Sequence, residues 1–134
     1  RGCSFVLAIE NNSPEAPMFA APENCHRLLK KLPYLGLVWD LNHTLPEHAD
    51  SFLELSHRMA MLHVSDTPLP ATNHHLPLGL GHIDFSHYLQ QLQKNGFCGP
   101  AILEIGGLPI SGGYGRDTDE ALIASRAHLE DYLL

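Results

Sequence analysis

A parallel α/β fold of four βα units is what these 134 residues predict. Short, almost continuously apolar runs alternate four times with amphipathic runs of helical spacing. Strands that apolar are buried on both faces, which implies parallel pairing through right-handed crossovers. Proline, glycine and asparagine fall between the runs, where turns and helix ends need them. Four units make either a small open sheet or half of an eight-stranded barrel, which typically needs about 250 residues.

The first unit pairs the strand-like SFVLAIE (4–10) with PENCHRLLKKL (22–32). Pro22 suits a first helical turn, and Pro33 stands just past the end. LGLVWD (35–40) precedes a helix expected over PEHADSFLELSHR (46–58). MAMLHVSD (59–66) leads through a long loop to DFSHYLQQLQK (84–94). Asp84 can cap that helix, and Asn95 with Gly96 can end it. Finally PAILEI (100–105) precedes residues 117–134, where Asp117 and Glu120 have capping-box spacing. Leu122, Leu129 and Leu133 share a face of this last helix, and the stem of Arg126 between them can cover apolar surface.

Length and composition describe a single domain over residues 1–134 with enough chain for a sizeable core. The chain opens at Arg1 without methionine, so a fragment or processed piece is expected. Cys3, Cys25 and Cys98 are odd in number and form no CxxC pair, which fits reduced thiols in a cytoplasmic protein. No signal-peptide pattern and no membrane-length apolar run is present. A net charge of −7 argues against a nucleic-acid partner, and no basic amphipathic stretch suits a membrane surface. Two N-x-S/T sequons, at Asn11 and Asn42, read as chance.

The chemistry sits at the strand ends. In parallel α/β folds ligands bind at the carboxyl ends of strands, and the four runs bring Glu10, Asp40, His63 and Glu104 there. One polar strand end marks only where the chain leaves the core, or caps the next helix. On four successive strands that explanation weakens, because carboxylates set among apolar neighbours are costly to bury unpaired. Three carboxylates and an imidazole form a hard donor set, suited to one divalent cation: Mn²⁺, Mg²⁺, Co²⁺ or Zn²⁺.

IEN (9–11), DLNH (40–43), HVSD (63–66), HLPLGLGHIDF (75–85) and LEI (103–105) occur in that order. Together they resemble the xylose isomerase-like TIM-barrel superfamily, which holds sugar isomerases and epimerases, inosose-type dehydratases and apurinic endonucleases. The resemblance covers the C-terminal half of that barrel, strands five to eight. It implies that Glu10, Asp40, His63 and Glu104 are the metal ligands, and that Glu10 and Glu104 also act as acid and base. It further implies that His43 contacts substrate or a second metal, that Asp66 stands behind the ligands or on the substrate, and that His75, at the place of a metal-binding histidine in the endonucleases, contacts substrate.

The departures bear on substrate. The loop TPLPATNHH (67–75) lacks the arginine some keto-sugar epimerases place there, Asn73 replaces the endonucleases' aspartate, and Leu80 replaces a common acid. His26, His48, His57, His87 and His128 are expected on solvated helix faces, His82 in a structural role, and His74 is left open. The resemblance thus implies a metal-dependent isomerase, epimerase or related dehydratase acting on a small carbohydrate by enolisation. An apurinic-endonuclease-type phosphodiesterase and a non-catalytic metal-binding half-barrel are the alternatives. Both outer strands lack lysine and internal proline, so closure into a homodimer is expected.

Overall fold

The computed structural model describes residues 5–132. Its sheet has four strands, β1 (Ala8–Glu10), β2 (Gly36–Asp40), β3 (Met59–Val64) and β4 (Ala101–Leu103), in the order β1-β2-β3-β4. All three pairings are parallel. The helices are α1 (Pro22–Lys31), α2 (Ala49–Leu53), α3 (Phe85–Lys94) and α4 (Asp119–Tyr132). This is the parallel (βα)4 arrangement of half a TIM barrel.

The core lies between the sheet and the helices. Leu37 and Trp39 of β2 and Leu62 and Val64 of β3 pack against Leu29, Phe52, Phe85, Leu89 and Leu92. The alternate residues turn to the other face, where Val38 and Met61 are half-buried and Ile102 is exposed. Asp40 pairs with His63, so both lie on that second face.

A bulge makes this alignment. Leu37 pairs with Met59 but Val38 pairs with Met61, which leaves Ala60 as the extra residue. Met59 packs on the helix-side core, as do Leu62 and Val64. Without the extra residue, alternation would turn His63 to the helix side with Met59.

The helix ends follow local chemistry. Pro22 opens α1, and Arg58 closes its far end by donating to the carbonyls of Leu29, Leu32, Pro33 and Leu35. Asp84 accepts from the His87 amide at 2.9 Å to cap α3. Gly96 at φ +82 ends it, its amide bonding Gln93 O while Phe97 N bonds Leu92 O, a Schellman pair.

Four expectations need correction. The first strand is shorter than 4–10: residues 5–7 are exposed and outside β1, and Ser4 lies outside the described residues. The helix expected over 46–58 breaks into a 3-10 turn (Pro46–His48), α2 and a second 3-10 turn (Ser56–Arg58). Buried Ala49, Phe52, Leu53 and Ser56 keep the spacing of a helical stripe, but Arg58 is held at the end of α1 and β3 begins at Met59, so the chain leaves the helix early. The cap of α4 is Thr118, whose Oγ1 accepts from Ala121 N at 3.2 Å; Asp117 and Glu120 form no capping box. A threonine hydroxyl one residue later takes that position. Finally, Arg126 is 76% exposed and pairs with Glu130 at 2.9 Å, while Ser125 is the buried residue of that face. Leu133 lies outside the described residues.

Cys25 is buried and its thiol is pushed up to about 11 by burial, so it is chemically quiet; Cys98 is exposed, and both are free. Cys3 lies outside the described residues. Asn11 and Asn42 are fully buried, which closes both sequons to modification. Among the described residues, no helix is long and apolar enough to cross a membrane.

Candidate metal centre

Glu10, Asp40, His63 and Glu104 converge at the carboxyl end of the sheet. One ligand atom from each lies within 4.8 Å of all the others. His63 Nδ1 stands 3.2 Å from Glu10 Oε1 and 3.2 Å from Glu104 Oε1. Donors about 2.1 Å from a shared cation lie about 3 to 4 Å from one another, so the set needs little adjustment to close on one ion.

Asp40 supplies the sharpest test of fit. Its side chain is fully buried; Oδ1 accepts from the Asn42 amide at 2.8 Å. Oδ2 is buried with no hydrogen-bond partner among the described residues. His43 Nδ1 is 3.3 Å from it but makes its hydrogen bond to Asn11 O, at 3.1 Å. Burial pushes the Asp40 carboxyl up to about 7; His43 and the Asn42 amide oppose this, and the charges of Glu10 and Glu104 add to it. An orphaned carboxylate oxygen facing two further carboxylates fits a divalent cation.

Asn11 holds this group in place, a role the IEN motif alone did not reveal. Its Oδ1 accepts from Asp40 N at 2.6 Å, and its Nδ2 donates to Asp40 O at 3.0 Å and Thr44 Oγ1 at 3.3 Å. Thr44 Oγ1 donates to the same carbonyl at 2.9 Å and accepts from Trp39 Nε1 at 2.9 Å. An amide following a strand-end ligand, with a hydroxyl four residues beyond the next ligand, is the signal that sequence offers. Asn11→Ala leaves the buried Asp40 N–H without its acceptor and removes one of the two side-chain donors to the Asp40 carbonyl. The expected cost is about 1–3 kcal/mol of stability in denaturant titrations, with metal affinity about 10–100-fold weaker. Unchanged affinity in a folded variant would remove Asn11 from the site's support.

The other expected residues divide. His43 joins the cluster, with Nδ1 3.6 Å from Glu10 Oε1. His75 stays outside it. Its Nδ1 lies 2.9 Å from Glu104 O, its Nε2 2.9 Å from Asn73 Oδ1, and its ring stands edge-on to His43 at 5.6 Å. Asp66, expected at the substrate, is instead a buried loop anchor. Its carboxylate accepts from the amides of Thr67, Gly79, Gly81 and Ile83, all within 3.1 Å. A Cβ on Gly81 would fall 2.3 Å from Asp66 Oδ1, so only glycine fits there. These four donors leave the carboxylate nothing to offer a ligand.

His26, His57, His82, His87 and His128 are exposed, whereas His48 is not solvated as expected: its Nδ1 is buried with no hydrogen-bond partner among the described residues. Its turn presses against the buried start of α2.

Comparison with known proteins agrees with this geometry. The family described as xylose isomerase-like TIM barrel matches residues 3–132. A D-tagatose 3-epimerase-like protein superposes with a TM-score of 0.72 at 21% identity, over 94% of this chain and 46% of that one. A 3-keto-D-glucoside 4-epimerase from E. coli gives 0.64 at 18% identity, over 91% and 46%. A D-psicose 3-epimerase from Clostridium cellulolyticum H10 gives 0.63 at 12% identity, over 95% and 47%. The chain therefore spans slightly less than half the length of these structures. No curated protein gives a significant sequence match.

Proposed function

Since the chain belongs to the xylose isomerase-like TIM barrel family, we propose that it is the catalytic half of a divalent-metal-dependent isomerase or epimerase of small carbohydrates. The convergence of Glu10, Asp40, His63 and Glu104 carries the reading. Sugar epimerases among the similar folds support it.

A cation held there would polarise a substrate carbonyl and acidify the neighbouring C–H. Glu10 and Glu104 are about one-third exposed, so their oxygens are open to substrate. One takes the proton from the carbon beside the carbonyl; the electron pair moves into an enediolate, and the other carboxyl returns a proton. His43, beside Glu10, orients a substrate oxygen. In deuterated water, a ketose substrate should gain solvent deuterium at the carbon next to its carbonyl, as read by NMR. Turnover without deuterium uptake would replace enolisation with hydride transfer. The phosphodiesterase alternative has less support, since Asn73 holds the partner position of His75 and the chain carries net charge −7.

The domain, residues 1–134, is a half-barrel that requires completion. β1 and β4 are open parallel edges, and beside β1 the residues Phe5, Val6 and Leu7 are 87%, 71% and 57% exposed. A second copy on a twofold axis along the barrel would pair β1 of each chain with β4 of the other and keep all strands parallel. It would cover Val38, Met61 and Ile102 and bring two carboxylate sets to one mouth, so metal should tighten the pair. Sedimentation at micromolar protein, with and without chelator, is expected to show a dimer strengthened by metal. A folded monomer in both conditions would rule this closure out. The free thiols fit a reducing, cytoplasmic setting.

A further inference from the structure

Beside the carboxylate cluster lies a separate hollow of about 390 Å³, walled by three loops at the same end of the sheet. Glu15 comes from the loop after β1, His74 and His75 from the loop after β3, and Leu108, Ile110 and Ser111 from the loop after β4. His75 links the hollow to the cluster. It lines the one and, through Nδ1, meets the Glu104 carbonyl of the other. A molecule chelated at the cluster and longer than a single small sugar would extend past His43 and His75 into this space.

The walls are built rather than loosely draped. Gly113 N donates to His74 O at 2.6 Å, and Gly106 N donates to His75 O at 3.0 Å. Ser111 Oγ also donates to the His74 carbonyl. The fit excludes side chains: a Cβ on Gly113 would lie 1.9 Å from His75 O, and one on Gly112 would lie 2.5 Å from His74 Nδ1. His75 itself takes φ +52, a conformation retained where surrounding contacts over-determine it. The hollow is thus shaped before any ligand enters, which lowers the ordering cost of binding.

Its chemistry selects the ligand. Leu108 and Ile110, 70% and 94% exposed, stand out along its side as apolar groups open to a C–H face. Glu15, His74 and Ser111 offer hydroxyl partners around it. Among the described residues no lysine or arginine lines it, and the carboxylates of Glu15 here and Glu10 and Glu104 next door oppose an anion. Hydrogen bonding to Ser13 and the nearby His43 and His74 keep Glu15 ionised to lower pH than usual. Phosphorylated sugars are therefore disfavoured, and an uncharged ring with one apolar face fits.

We propose that this hollow is a second carbohydrate subsite, so that the substrate is an uncharged glycoside with its keto-bearing part at the cluster and its second ring on Leu108 and Ile110. This deepens the enolisation reading and rests on it for the reacting part only. The binding arm of the test uses the full chain without metal and follows the amides of Gly107, Ser111 and Gly112 by NMR. Methyl β-D-glucopyranoside should produce saturable shifts with a Kd on the order of millimolar, and glucose 6-phosphate should produce none. Ile110→Asp should abolish the shifts while leaving distant amides in place, which separates loss of binding from loss of folding. The kinetic arm compares a free ketose with its glycoside. Ile110→Ala should reduce the preference for the glycoside, as the ratio of kcat/KM values, by about tenfold. Absence of shifts at tens of millimolar glycoside, equal shifts in Ile110→Asp, or tighter binding of the phosphate would overturn the subsite. No deuterium uptake by any ketose, with the binding arm intact, would instead sink the enolisation reading and leave a sugar-binding hollow.

Discussion

In Glu104→Gln protein, turnover of a confirmed ketose substrate is expected to fall about 10²–10⁴-fold, the usual worth of a positioned general acid or base. The change keeps the shape of the side chain and a coordinating oxygen, but it removes the group that accepts or returns a proton. Metal content has to be measured in parallel. Glu10, Asp40 and His63 remain as ligands, so the variant should still hold a cation, more weakly. Deuterium exchange separates the two roles of Glu104. A variant that binds metal but neither turns over substrate nor exchanges deuterium has lost the proton carrier. Wild-type turnover in Glu104→Gln would disprove the two-carboxylate mechanism. Glu10→Gln is the matching experiment on the opposite side of His63, where the same 3.2 Å separation holds.

Removal of Asp40 has the second large effect, and it reads out in both metal and pH. Asp40→Ala and His63→Ala should each lower bound metal well below the wild-type stoichiometry, measured by elemental analysis after dialysis. Unchanged stoichiometry in both would sink the ligand assignment. In metal-free protein Asp40 also makes stability depend on pH. Burial raises its carboxyl from 3.8 to about 7, so between those values the folded state holds a proton that the unfolded state has released. The stabilisation from this group is fully present below about 3.8 and is lost as pH rises through about 7. Over that window the loss is on the order of 4 kcal/mol, reduced by whatever relaxation the pocket permits. With chelator present, urea unfolding should therefore show a lower stability at pH 8 than at pH 5 from this source. Asp40→Asn should flatten that slope, because an amide carries no titrating proton. Equal slopes in the two proteins would place the pH dependence elsewhere. Added metal should reverse the trend: binding expels the proton, so apparent affinity rises with pH until Asp40 is ionised.

The two effects share one cause. An unpaired buried carboxylate is costly without metal, and the same desolvation makes it a strong ligand once a cation is present. Asn11 adds to this by bonding the Asp40 backbone with both ends of its amide, which limits the ways the carboxylate can turn aside. The site is organised before a cation arrives.

The order of elements, the parallel pairing and the strand ends carrying Glu10, Asp40, His63 and Glu104 were all legible in the chain, because each rests on a local pattern. Apolar runs such as GLVW ahead of Asp40 and AIL ahead of Glu104 declare strands, and Asp84 with Gly96 bounds α3 by its own capping chemistry. What tertiary structure decided was which face and which partner each residue took. Local alternation sets His63 in step with Met59, and only the bulge against β2, which leaves Ala60 over, turns it to the face of Asp40. Asp66 follows His63 closely enough to suggest a place at the substrate, yet the amides of Gly79, Gly81 and Ile83 fold back from thirteen to seventeen residues away and consume it. Thr118 displaces Asp117 as the cap of α4, and Ser125 rather than Arg126 meets the core, its Oγ accepting from Leu78 N at 3.1 Å. Sequence by itself determined that this protein has four βα units with Glu10, Asp40, His63 and Glu104 at their strand ends, since hydrophobic period and strand termination act within a few residues. Tertiary structure alone decided that these four meet, that Asn11 braces Asp40, and that a hollow lined by Leu108 and Ile110 lies beside them, because registers, bulges and loop closures join residues far apart in the chain.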